Sequence, residues 1–262
     1  MSLPRRRRLV QIARERELLV LEDNPYGLLR YEGDPLPTLR SLDGGRFVIY
    51  LGTFSKILSP GIRTGWAVAP GPVFEKMNTG KQGVDLCSPA FSQFFIAAYF
   101  ARAQWREYVD ALRALYHRRR DVMLEALHES FGGVGTGITW TRPEGGMFVW
   151  ATLPDYIDTT DLLARALRAN VAFVPGRAAY VDGRGGSEMR LNFSGSTDDR
   201  IREGVRRIGA VVQEQVGLYG TLTGTRPAPR PAATPAEPDA RMADVLPLPA
   251  RRPASDGGTA AS

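Results

Sequence analysis

The sequence predicts an α/β chain, and three observations carry that expectation. Phe47–Leu51 is a nearly unbroken apolar, β-branched and aromatic run, which reads as a strand buried on both faces, as in a parallel sheet covered by helices. A second apolar run, Leu18–Leu21, ends in Glu22-Asp23 and a turn built on Pro25, Tyr26 and Gly27. Beyond about residue 104 a long helical period gives way to short strands alternating with helices, an α+β arrangement packed separately from the first sheet.

In chain order, Ser2 caps and Pro4 opens a first helix with Leu9, Ile12 and Ala13 on its apolar face. Its run Arg5–Arg8 reads as a solvated face, because four arginines without interleaved aromatics are thin support for nucleic acid or a membrane. Gln11, Arg14 and Glu15 interrupt any signal-peptide core. After the first two strands, Gly71-Pro72 opens a helix to Lys81 with Phe74 and Met77 on one face. Ser88-Pro89 reads as the cap and first turn of a helix whose Phe91, Phe94, Phe95, Ala98 and Tyr99 form core. Gln104–Ser130 is a long amphipathic helix, ended by Gly132, Gly133 and Gly135. Its two histidines, His117 and His128, stand without a carboxylate or cysteine cluster and read as ordinary helix residues.

Strands then follow at Ile138–Thr141, Met147–Trp150 with Leu153, and Met189–Phe193. Between them Thr160–Asn170 is helical, burying Leu162, Leu163, Ala166 and Leu167, and Thr197–Gln215 is the last helix, capped at Ser196 or Thr197. Residues 217–262 lose all periodicity and are rich in Pro and Ala, so they read as a disordered tail. The organisation expected is residues 1–103, then 104–216, then the tail. No apolar run reaches the length of a membrane span, and a single cysteine, Cys87, excludes an internal disulfide framework. Both point to a soluble cytoplasmic protein. The net charge of +6 favours anionic ligands only loosely.

The chemistry collects in GTFSKILSPGIRTGW. Of 34 cationic side chains only Lys56, Lys76 and Lys81 are lysines, so a lysine in the loop after a strand suggests that the amine itself is wanted. The alternative is a lysine that merely snorkels from a loop. Thr53 and Ser55 flank it, and Arg63 follows beyond the Pro60-Gly61 turn, so two hydroxyls and a guanidinium are able to converge on one phosphate. Arg190 alternates with Leu191 and Phe193, which by itself reads as a structural salt bridge.

EDNPYG, GTFSKILSPGIRTGW 33 residues on from Asp23 to Lys56, PEGGMFVW and MRLNFS together resemble the class I/II aminotransferases. The likeness runs from about residue 3 to residue 215 and is nearest the branch holding 2-aminoadipate aminotransferases and MocR effector domains. It implies part of a fold-type I large domain, a mostly parallel sheet with helices, followed by a small α+β C-terminal domain. It implies pyridoxal 5'-phosphate (PLP) as cofactor, bonded to Lys56, with Asp23 at the pyridine nitrogen and Tyr26 at the phenolic oxygen. Thr53, Ser55 and Arg63 would hold the phosphate, and Arg190 the substrate carboxylate. The expected activity moves an amino group between an L-amino acid and a 2-oxo acid, with glutamate and 2-oxoglutarate as one pair, in a homodimer without metal, nucleic acid or membrane. The effector domain of a MocR-like regulator is the alternative. The loop PGRAAY departs from the pattern, with Ala179 where relatives commonly carry an aromatic. The family's Asn-Pro-x-Gly motif, expected upstream of the first helix, has no counterpart in this sequence. The expectation is therefore an N-terminally truncated chain with reduced or no activity alone, whether from a truncated gene model, a split gene or a decayed copy.

Overall fold

A computed structural model describes residues 1–132 and 137–224, so Gly133, Gly135 and most of the expected tail lie outside the described residues. Helix α1 (Leu3–Glu15) leads to β1 (Val20–Asp23), α2 (Leu39–Asp43), β2 (Val48–Thr53) and β3 (Gly65–Val68). Then come α3 (Gly71–Val84), α4 (Ala90–Arg102) and the long α5 (Trp105–Phe131). The remainder is β4 (Thr139–Trp140), β5 (Phe148–Thr152), α6 (Thr159–Arg168), β6 (Val174–Pro175), β7 (Glu188–Asn192) and α7 (Asp198–Thr223).

The first sheet has the order β1-β2-β3, with β1 parallel and β3 antiparallel to β2. The expected mostly parallel sheet is thus one parallel and one antiparallel pair. The segment between β2 and β3 is too short for a crossover helix, so the chain returns beside itself as a hairpin. The adjacent Val48 and Ile49 point to opposite faces of β2 and both are buried, whereas Leu21, paired with Ile49 on the neighbouring strand, is 68% exposed.

The second sheet, β4-β5-β7-β6, is antiparallel throughout. Its alternation is clean: Val149, Ala151, Met189 and Leu191 point into a core shared with Leu127, Leu162, Val205 and Val212. Phe148, Trp150, Glu188, Arg190 and Asn192 therefore share the opposite face. A smaller cluster joins the two sheets, where Leu29, Ile57, Val109 and Met147 meet with Tyr26, Phe54, Phe100 and Phe148 packed around them.

Several expectations need correction. Ser2 and Thr197 hold N-cap positions without a side-chain cap bond, and Pro89 rather than Ser88 precedes α4. Leu167 is exposed, and α7 continues to Thr223, past the expected start of the tail. Three of the expected core aromatics are not core: Phe91 is 82%, Phe94 75% and Phe95 47% exposed, and Ile96 is the helix's buried residue. No second layer of described chain covers that face. Among the described residues no helix is long and apolar enough to cross a membrane.

Two acids organise the first sheet. Glu22, buried in β1, accepts from the Leu39 and Arg40 amides at 2.8 and 2.9 Å and so caps α2. Asp43 accepts from the Phe47 and Val48 amides at 2.7 and 3.0 Å and meets Arg14 of α1 at 3.4 Å. Burial alone would push the Asp43 carboxyl up; those two amides and then Arg14 outweigh it and hold the group below its ordinary value. Its stabilisation is therefore complete above the unfolded value of 3.8 and fades as pH falls through the lower folded value. Asp43→Ala strands two amides and should cost about 2 kcal/mol in urea unfolding at pH 7. That deficit should shrink in titrations carried below the unfolded value of 3.8.

Candidate functional site

Strand alternation separates the adjacent acids Glu22 and Asp23. Glu22 turns inward to cap α2, and Asp23 ends β1 exposed on the other face. The chain then turns through Pro25, and Tyr26 packs its ring edge-on to Phe148 with centroids 5.8 Å apart. Burial raises the Tyr26 phenol above its ordinary value; Asp23 adds to the rise and Arg190 opposes it. Tyr26 thus lies within reach of a charged group from each sheet, Asp23 of β1 and Arg190 of β7. The phenol remains protonated at neutral pH and keeps a hydrogen to donate.

Lys56 lies half-buried in the turn directly after β2, beside Ile57, which anchors that turn in the junction core. Asp23 and Leu51 are register partners in the parallel pair, so Asp23 and the Lys56 turn stand at the same carboxyl-end edge of the sheet. Among the described residues the Lys56 amine makes no hydrogen bond or ion pair. Thr53 donates to the Ser55 hydroxyl at 3.0 Å, and the Ser55 amide donates to Thr53 Oγ1 at 3.1 Å. The hairpin puts Thr53 opposite Gly65 and bonds the Phe54 amide to the Thr64 carbonyl at 3.2 Å, which brings the Arg63 turn alongside. Arg63 is left-handed at φ 53°, is exposed, and donates to the Pro60 carbonyl at 3.0 Å rather than to either hydroxyl. Gly52 is required here, since a Cβ would sit 2.3 Å from the Trp66 ring that lies over β2.

A cavity of about 850 Å³ is walled by Tyr26, Thr53, Ile57, Trp66, Gly146 and Phe148 among others. Of the expected residues, Tyr26 and Thr53 face it, whereas Asp23, Ser55, Lys56, Arg63 and Arg190 lie outside its walls. Arg190 is exposed on β7, directly across from Trp150 of β5, with its guanidinium carbon 4.3 Å from the centre of the Phe148 ring. No structural salt bridge to Arg190 occurs among the described residues, although the strand alternation taken without the MRLNFS motif favoured one.

A polar hub was invisible to sequence reasoning. Glu32 accepts from Arg120 and, at 2.6 and 2.8 Å, from Arg142, and meets His117 Nε2 at 3.1 Å. Arg120 is fully buried, donates to the Pro143 carbonyl at 2.8 Å and pairs with Asp121 at 2.7 Å. The two guanidinium bonds hold the Glu32 carboxyl well below the usual carboxylate range. Burial chiefly pushes the Tyr31 phenol up to about 12, and its ring stacks on His117 at 5.3 Å. His117, expected to be an ordinary helix residue, is therefore part of a tertiary contact. The Tyr31 and Glu32 amides also donate to the Glu144 carbonyl at 3.0 and 3.1 Å, so the hub ties the Tyr26 loop to the segment entering β5. Nothing in the HRRRD run marks Arg120 as the buried one. Phe148 was reachable, because it lies within PEGGMFVW.

Residues 1–208 match the family model described as Aminotransferase class I and II. The aromatic-amino-acid aminotransferase 1 of Thermococcus litoralis is 43% identical over 216 residues, 82% of this chain and 51% of that protein. The structure of Pyrococcus horikoshii kynurenine aminotransferase in complex with PMP superposes with a TM-score of 0.78 at 44% identity, covering 82% of this chain and 53% of that one. That of the α-aminoadipate aminotransferase LysN of Thermus thermophilus, complexed with N-(5'-phosphopyridoxyl)-L-leucine, also gives 0.78, at 39% identity and 83% and 56% coverage. The chain belongs to the class I and II aminotransferases. It spans about half the length of the relatives it matches.

Arg120→Met should loosen the hub. Losing one buried charge partner of Glu32 is expected to cost about 2 kcal/mol in urea unfolding, and to weaken the near-UV circular dichroism that Tyr26 and Phe148 contribute at the junction.

Proposed function

We propose that this chain carries the cofactor lysine of a PLP-dependent aminotransferase, which moves an amino group between an L-amino acid and a 2-oxo acid, with glutamate and 2-oxoglutarate as one pair. The observation that carries the reading is an amine without a partner among the described residues, Lys56, in the turn after β2 of a chain of this family. The donor set fits the cofactor chemically. Thr53, Ser55 and Arg63 offer hydroxyls, an amide and a guanidinium for a phosphate. The Tyr26 phenol offers a hydrogen to a ring oxygen, and the Asp23 carboxylate suits a protonated ring nitrogen.

PLP when bound supplies an electron sink for the pair released as the substrate Cα loses its proton. The chain's own groups do the rest. Arg190 grips the substrate carboxylate with its planar fork, steadied by the Phe148 ring. Lys56, which would hold the cofactor, would also serve as the base that takes the substrate Cα proton. The transaminases described above are 39–44% identical, against 29% for the HTH-type transcriptional regulator YisV of Bacillus subtilis over 79% of this chain, and that difference supports the enzyme over a MocR-like effector domain. The assembly is proposed to be a cytoplasmic homodimer.

Treating the 262-residue chain with PLP and borohydride, then mapping peptides, should find the phosphopyridoxyl group on Lys56 and lose it in Lys56→Arg. Equal labelling of Lys76 and Lys81, or none, sinks the assignment. The polypeptide alone is expected to transaminate slowly, since it supplies about half the aligned length of its relatives and leaves the α4 aromatics bare. A turnover near the ordinary ~10 s⁻¹ in an amino-acid and 2-oxoglutarate assay would overturn that expectation.

A further inference from the structure

Arg190 has an acid on its own strand and does not pair with it. Glu188 is two residues away on the same face of β7, at a separation of about 6.6 Å along the strand that two long side chains span easily. Its Oε2 instead accepts from Trp150 Nε1 at 2.8 Å and from the Tyr180 hydroxyl at 2.7 Å. These are two neutral donors to one charged oxygen, the stronger class of hydrogen bond. Trp150 comes from β5 and Tyr180 from the turn after β6, with the rings 6.3 Å apart. The connection is built for this contact. Gly185 has φ 78°, and a Cβ there would lie 2.6 Å from the Tyr180 ring, so only glycine lets that ring reach the strand. Arg184 stacks over the outer face of Tyr180 at 5.5 Å, and Asp182 meets Arg184 at 2.6 Å, so neither competes for Glu188.

We infer that Trp150 and Tyr180 are positioning residues that hold Glu188 away from Arg190, leaving the guanidinium over Phe148 open to a carboxylate ligand. The inference rests on the reading of Arg190 as the carboxylate site and adds what keeps that site clear. An acid free to swing would form an internal pair, and every carboxylate ligand would have to displace it.

The test uses the full 262-residue chain with Trp150→Phe and Tyr180→Phe combined, which removes both donors and keeps both rings. The Arg190 Nε–H resonance, assigned by its loss in Arg190→Lys, is followed by NMR, and glutarate is titrated by calorimetry. In the double variant the resonance should move and exchange more slowly with water as Glu188 pairs with it. Glutarate binding should weaken about threefold, the size of an exposed ion pair competing for the site. Adding Glu188→Gln should restore both signals, which a merely structural role for the rings would not do. An unmoved Arg190 resonance in the double variant overturns the inference. Absence of glutarate binding to the unaltered chain, with a resonance that still responds, supports the sequestration and sinks the carboxylate reading. Should the double variant not fold, Tyr180→Phe alone is read the same way.

Discussion

One carboxylate, Glu32, determines how the two sheets meet. It gathers Arg120 and His117 from α5 and Arg142 from the segment before β5, while its own backbone bonds to Glu144. A fully buried guanidinium such as Arg120 is tolerated only with its charge matched, and its two terminal nitrogens are engaged by Pro143, Glu32 and Asp121, so these groups have little freedom to slide. The loop that begins at Asp23 and carries Tyr26 is held by that grip. The contact of Tyr26 with Phe148, and its electrostatic coupling to Arg190, follow from it.

The period-two alternation of strands then assigns each polar group its side. In β1 it sends Glu22 inward to cap α2 and Asp23 outward, so adjacent acids serve separate ends. In β7 it buries Met189 and Leu191 and leaves Glu188, Arg190 and Asn192 on the opposite face. What distinguishes Glu188 from Arg190 there is the company each keeps: two hydrogen-bond donors for the acid, an aromatic ring for the base.

The apolar surface is unevenly covered. Behind the second sheet α5 and α7 close a core, whereas Leu21, Trp66, Phe91, Phe94 and Phe95 remain open to solvent around the first sheet. That open side borders the residues proposed to hold the cofactor. The side of the fold carrying the proposed chemistry is thus also the side with least of its own packing.

The sequence by itself determined the elements with strong periodicity. The long α5, the strands at β5 and β7, and the order of the motifs around Asp23, Lys56 and Arg190 were all legible, because helix and strand periods and turn residues are local signals. Tertiary structure decided everything that needs two distant segments. It chose Arg120 among the consecutive arginines of α5 for burial, paired His117 with Glu32, and turned β3 antiparallel. It also left Phe91 and Phe94 outside, although their spacing resembles that of a core helix. A side chain's period says which face it shares, and only the arrival of another segment decides whether that face is covered, charged or free.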